Sequence, residues 1–162
     1  GGESTTIARL LHKFDLDNPL RERARSGFPI WGTCAGAILL SDDVREFDRE
    51  PLGVLPMTVE RNAYGSQINS FETDLSIPTL GLEPFHAIFI RAPRITNVRN
   101  GINVLASHNG NPVVVTRGSL LATTFHPELT NDTRLHRYFV SECVGFPIDD
   151  TETSPVSIRR NY

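Results

Sequence analysis

Phe28-Pro29-Ile30-Trp31-Gly32-Thr33-Cys34-Ala35-Gly36, running on into Ala37-Ile38-Leu39-Leu40, is the stretch on which the reading of this chain turns. Phe28 to Trp31 is a short apolar run of strand type, and Ala37 to Leu40 continues as helix. Between them Cys34 has a glycine two residues away on either side. A strand that turns sharply into a helix lifts the side chain at the turn out of the sheet. Small neighbours permit the bend, which has the mechanics of a nucleophile elbow. A lone free cysteine is most often a small buried hydrophobe, so the weight rests on the pattern around it. The helix N-terminus just beyond the turn is expected to lower the thiol pKa. The backbone N–H of Ala35 is placed to meet a developing oxyanion.

Upstream, Gly1-Gly2-Glu3-Ser4 reads as a glycine loop leading into a helix. Ser4 is the expected N-cap, and Ile7, Leu10, Leu11 and Phe14 recur at helical spacing. Asn18-Pro19 opens a second helix, which Gly27 closes. Downstream, Val54 to Glu60 and Ile68 to Asp74 are strand-like and flank a turn at Tyr64-Gly65-Ser66, which predicts a hairpin. Ala87 to Ile90, Ile102 to Ala106, Val113 to Thr116 and Leu120 to Thr124 follow as short strands with Asn-Gly, Asn-Pro and Arg-Gly between them. A last helix is expected over 132–144, with Leu135, Tyr138, Phe139 and Cys143 on one face. The polar, aperiodic stretch 146–162 reads as a disordered tail to a single domain over 1–145. Helices around short apolar strands make the fold class α/β.

The 162 residues are enough to bury a core, and they carry 39% hydrophobic and 22% charged residues with a net charge of −3. That balance offers no basic footprint for nucleic acid and no polybasic stripe for a membrane. No apolar run approaches the roughly 20 residues of a membrane span, and no leader-like segment is expected. Cys34 and Cys143 make neither a disulfide framework nor a zinc site, so a reducing, cytoplasmic setting is expected.

A cysteine nucleophile benefits from a base that shuttles protons. His126 ends the apolar run Leu120 to Phe125, and Pro127 prevents that strand from continuing. Glu128, two residues on, is close enough to accept a hydrogen bond from the imidazole and fix its tautomer. A histidine beside a glutamate in a turn is commonly no more than surface charge. The elbow elsewhere in the chain is what raises this one to a candidate. His12, His86, His108 and His136 have no comparable setting, and none is assigned a role.

Six blocks occur in the order of one known group: Gly1-Gly2-Glu3-Ser4-Thr5-Thr6, Gly32-Thr33-Cys34-Ala35-Gly36, Arg61-Asn62-Ala63-Tyr64-Gly65, Ser70-Phe71-Glu72, Phe89-Ile90-Arg91-Ala92-Pro93 and Phe125-His126-Pro127-Glu128-Leu129-Thr130. The chain resembles the glutaminase subunit of pyridoxal 5'-phosphate synthase, over about residues 1 to 145. The cysteine elbow and the His-Pro-Glu run are shared by class I glutamine amidotransferases, and the other blocks narrow the resemblance to the vitamin B6 branch. It implies a three-layer, flavodoxin-like α/β sheet with flanking helices. It also implies that Cys34 attacks the side-chain amide of L-glutamine, releasing ammonia and leaving a γ-glutamyl thioester. His126 would serve as acid and base, oriented by Glu128. The N–H groups of Gly2 and Ala35 would form the oxyanion hole, and Glu3 and Ser4 would line the glutamine site. Arg61 and the Ile90-Arg91 pair would hold the amino-acid end, a job for which arginine suits a carboxylate. No metal or cofactor is implied. The ammonia would pass to a (β/α)8-barrel synthase subunit, the implied partner, and docking on that subunit would switch on a weak glutaminase.

The chain departs from the family at its start. Relatives are expected to carry an N-terminal segment of about 45 residues, with strands, a loop and a helix that feed the sheet. Those N-terminal strands are absent from this chain. A second reading is therefore a truncated, inactive docking partner of the synthase. A third is another Cys-His hydrolase on a related sheet, such as a peptidase, which would leave Arg61 and Arg91 without a task.

Overall fold

The computed structural model describes residues 2–61, 70–99 and 101–148. Most of the Arg61-Asn62-Ala63-Tyr64-Gly65 block, the turn at Tyr64-Gly65-Ser66, the start of the strand at Ile68 and the tail from Asp149 lie outside the described residues. Helices α1 (Ser4–Lys13) and α2 (Asp17–Arg25) lead into β1 (Ile30–Thr33), α3 (Ala35–Leu40) and β2 (Ser41–Arg45). Strands β3 (Leu55–Glu60), β4 (Ser70–Leu75), β5 (Phe85–Ile90), β6 (Arg94–Val98), β7 (Asn103–His108), β8 (Asn111–Arg117) and β9 (Leu120–Thr123) follow, and α4 (Arg134–Tyr138) comes last.

The described strands form a four-stranded sheet in the order β1-β9-β8-β7, a three-stranded sheet β2-β3-β6 and a two-stranded sheet β4-β5. In the first, β1 runs parallel to β9, with Gly32 opposite Ala122 and Thr33 opposite Thr123. All four residues of β9 are buried, as a strand covered on both faces requires. Its side chains alternate between two cores, as the pleat dictates. Leu120 and Ala122 join Ile38, Leu40, Leu55, Met57 and Val59 on the side of α3 and β3. Leu121 joins Phe85, Phe89, Phe125 and Leu135 on the side of β5 and α4. The architecture is α/β, with sheets and flanking helices.

Three expectations change. The side chain that caps α1 is Glu3, with Ser4 already inside the helix: the Glu3 carboxylate accepts from Thr5 N–H at 3.1 Å and Thr6 N–H at 2.7 Å. β3 and β4 do not form a hairpin with each other. β4 pairs antiparallel with β5, Ser70 opposite Ile90 through Leu75 opposite Phe85, while β3 lies between β2 and β6. The last helix is α-helical only over Arg134–Tyr138 and continues as a π-helical turn over Phe139–Cys143. Leu135 and Cys143 still face the core, with Tyr138 and Phe139 packed against it. Among the described residues, no helix is long and apolar enough to cross a membrane.

Candidate active site

The bend at Cys34 is built by the backbone. Cys34 takes φ 49° and ψ −103°, an uncommon conformation for a residue with a Cβ, and the surrounding structure must hold it there. Its N–H donates to the Thr123 carbonyl at 2.8 Å, which ties the turn to β9. Gly32 makes the close approach of strand and helix possible. A Cβ there would lie 2.5 Å from the Gly36 carbonyl carbon, 2.6 Å from its oxygen and 2.7 Å from Leu40 Cδ1. Gly36 differs, since a Cβ added to it meets nothing within 4 Å. The bend therefore requires a small residue on the strand side only.

Cys34 is 7% exposed. Burial pushes its thiol pKa up; the Ala35 N–H and the Arg91 charge favour the thiolate, Glu128 opposes it, and the net shift is upward. The expected lowering is not found. α3 has only six residues, and desolvation outweighs the help its N-terminus gives. The Sγ instead stands 3.8 Å from the Ile90 carbonyl, within reach as a weak donor.

His126 is hung from the neighbouring sheet, its N–H donating to the Ile88 carbonyl of β5 at 2.9 Å. Its Nδ1 lies 2.9 Å from Glu128 Oε1. The Glu128 pKa is pulled in two directions: burial raises it, but the bond from His126 helps carry the net shift below the ordinary range. An ionised carboxylate only accepts, so this contact puts a proton on Nδ1 and makes Nε2 the acceptor nitrogen of the neutral ring. The side chain of His126 is 14% exposed and that of Glu128 46%, so the imidazole is the more enclosed of the pair.

Gly2, Glu3, Ser4, Cys34, Ala35, Arg61, Ile90, Arg91 and His126 line one cleft of about 420 Å³, together with Ile38. Every residue singled out in the sequence is thus present in the lining except Glu128, which reaches the cleft through His126. The Glu3 carboxylate caps α1 and also meets Arg61 Nη2 at 3.3 Å. Hydrogen bonds from Thr5 first, then from the Thr6 backbone, lower its pKa to about 2. Arg91 has φ 43° and makes no ion pair among the described residues. Thr123, Ile88 and Ile38 were not legible as site residues. The first two act through their carbonyls, and Ile38 through apolar bulk, so none bears a chemical signature. A larger cleft of about 730 Å³ lies elsewhere, between Thr79, Leu80, Arg134, Arg137 and Tyr138, and neither a cysteine nor a histidine lines it.

The model of the SNO glutamine amidotransferase family matches residues 1–145. The chain belongs to that family. Two relatives of this glutamine amidotransferase are both described as pyridoxal 5'-phosphate synthase subunit PdxT. The protein from Thermotoga neapolitana is 54% identical over 140 residues, covering 86% of this chain and 74% of the relative. The protein from Kosmotoga olearia is 52% identical over 146 residues, covering 90% and 76%. A crystal structure of a glutamine amidotransferase superposes with a TM-score of 0.81 at 47% identity, covering 87% of this chain and 75% of that one. A putative GMP synthase component from Thermoplasma acidophilum shares the fold, with a TM-score of 0.56 at 18% identity over 83% of this chain and 67% of that one.

Proposed function

We propose that this amidotransferase hydrolyses L-glutamine to glutamate and ammonia, and that the ammonia supplies a synthase subunit making pyridoxal 5'-phosphate. The observation that carries the reading is the single cleft lined by Cys34, His126, Arg61 and Arg91, with Glu128 bonded to the imidazole. The pyridoxal 5'-phosphate synthase names of its relatives support the pathway.

The resting thiol is protonated, so the reaction begins with transfer of its proton to His126 Nε2. The thiolate attacks the side-chain amide carbon, and the oxyanion so formed is met by the N–H groups of Ala35 and Gly2. His126 returns the proton to the departing nitrogen, the C–N bond breaks, and a γ-glutamyl thioester remains. Water then gives a proton to the same nitrogen and attacks the thioester, releasing glutamate and restoring Cys34. Glu128 stabilises the imidazolium in both halves. Arg61 and Arg91 face the α-carboxylate, and the Ile90 carbonyl, Glu3 and Ser4 complete the pocket for the amino-acid end. The catalytic domain is 1–145, the partner is a (β/α)8-barrel synthase subunit, and the setting is the reducing cytoplasm that suits two free cysteines.

The test is glutamate release from glutamine, with and without the synthase subunit. Release that requires the synthase and is lost in Cys34→Ala, while that variant still binds glutamine, is the expected result. A folded complex that releases no glutamate would overturn the reading, and turnover retained by Cys34→Ala would remove Cys34 as nucleophile.

A further inference from the structure

The substrate end of the cleft rests on a support that the reaction itself does not use. β2 and β3 run parallel, and Arg45 stands opposite Glu60 where both strands end. The Glu60 carboxylate is held from two sides, by Arg45 Nη1 at 2.8 Å and by Arg94 Nε at 3.2 Å. That clamp fixes the strand ends in register. The next residue on each strand, Glu46 and Arg61, therefore meets its counterpart just beyond the sheet.

Glu46 there takes a left-handed backbone, φ 58°, which few residues with a Cβ adopt without a compensating contact. The conformation turns its carbonyl to Arg61, which donates from Nη1 at 3.3 Å. It also brings the half-buried ring of Phe47 to 5.1 Å, centroid to guanidinium carbon, a cation–π distance. Glu3 Oε1 takes Nη2 at 3.3 Å. Arg61 lines the cleft, whereas Phe47 and Glu46 stay outside its lining.

We propose that the Glu46-Phe47 turn is a positioning element that presents the Arg61 guanidinium to the α-carboxylate of the substrate. It thereby tightens selection for a free amino acid over a side-chain amide lacking that carboxylate. The proposal rests on the reading of Arg61 as a carboxylate holder. An arginine side chain loses much rotamer freedom when it binds. Two of its N–H groups are already engaged here and an aromatic face is in contact with the cation, so that ordering precedes substrate arrival. Its other N–H donors are left for the ligand. Phe47 touches Arg61 and does not line the cleft, so its influence on the substrate passes through Arg61.

The experiment is steady-state glutaminase kinetics on the chain assembled with the synthase subunit. Phe47→Leu is expected to raise KM for glutamine about two- to five-fold, with the smaller change in kcat. Phe47→Tyr keeps the ring and should restore the wild-type KM. In an Arg61→Ala background Phe47→Leu should cause no further loss of kcat/KM, because nothing remains for the ring to position. If Phe47→Leu does not fold, Phe47→Met, of similar bulk and without a ring, makes the same comparison. An unchanged KM in the ring-deleted variant, or an equal loss with and without Arg61, would overturn the positioning role. An Arg61→Ala variant with wild-type KM would instead overturn the carboxylate assignment itself.

Discussion

Alanine at each of the two elbow glycines should have opposite effects. At Gly32 the new methyl meets two backbone atoms of α3, at 2.5 and 2.6 Å, and Leu40 Cδ1 at 2.7 Å. A flexible side chain could step aside, but the Gly36 carbonyl belongs to the helix and moves only with it. Overpacking of this kind costs about 1–3 kcal/mol, and a rigid backbone neighbour places Gly32→Ala near the upper figure. For a chain of this length that corresponds to a fall in Tm of roughly 6–12 °C. Gly36 lies inside α3 with open space around its Cβ position. Gly36→Ala should therefore gain, by about 0.4–1 kcal/mol, because alanine loses less backbone entropy on entering a helix. Trp31, the single tryptophan, adjoins Gly32 on β1 and packs against His136 at 4.9 Å and Phe139 at 5.6 Å. Its fluorescence thus reports thermal unfolding at the elbow itself. Equal losses in the two variants, or a Gly32→Ala variant within about 0.5 kcal/mol of wild type, would refute the steric account of the bend.

Other outcomes follow from the ionisable groups. With burial holding the Cys34 thiol protonated, alkylation of this residue in the isolated chain, read by peptide mass, should be slow near pH 7 and still rising above about pH 8.5; a plateau below neutrality would contradict the burial argument. Since the folded thiol pKa is raised, its contribution to stability is present below the unfolded thiol's range and lost as pH rises through the folded value. Glu128→Gln should lower kcat by less than His126→Ala does, because it removes the carboxylate that fixes the tautomer and not the base; loss of the base should cost about 10²- to 10⁴-fold. His86 on β5 stands between Asp74 at 2.9 Å and Glu72 at 3.0 Å, and the bond to Asp74 first, then that to Glu72, raises its pKa. Its ring protons should titrate above the ordinary imidazole value in an NMR series, and the stabilisation it gives β4-β5 is present at low pH and lost as pH rises through the folded pKa.

The elbow was legible because it is local. Glycine spacing around Cys34 and the Pro127 stop after His126 are decided within a few residues, and so was the strand run at Leu120. Pairing was less legible. β2 is Ser41-Asp42-Asp43-Val44-Arg45, which lacks apolar alternation and is a strand only because β3 runs beside it. β4 is equally far in sequence from β3 and from β5, yet six cross-strand pairs from Ser70–Ile90 to Leu75–Phe85 bind it to β5; no local signal ranks those two partners. The direction of the Cys34 pKa shift was out of reach for a further reason. The helix N-terminus can be read from the order of residues, whereas the burial that outweighs it depends on what the rest of the chain stacks over the thiol.

The proposed nucleophile and the proposed base hang from different sheets, Cys34 by its N–H from β9 and His126 by its N–H from β5, with the thiol itself directed at Ile90 on that same strand. The reacting atoms therefore straddle a seam, and the seam has the stiffness of the stacked aromatic and aliphatic layer between the sheets. Loosening β4-β5 against the larger sheet would misalign the proton transfer before it unfolded anything. In this scaffold, turnover is the more sensitive gauge of sheet-to-sheet fit, and the melting temperature the blunter one.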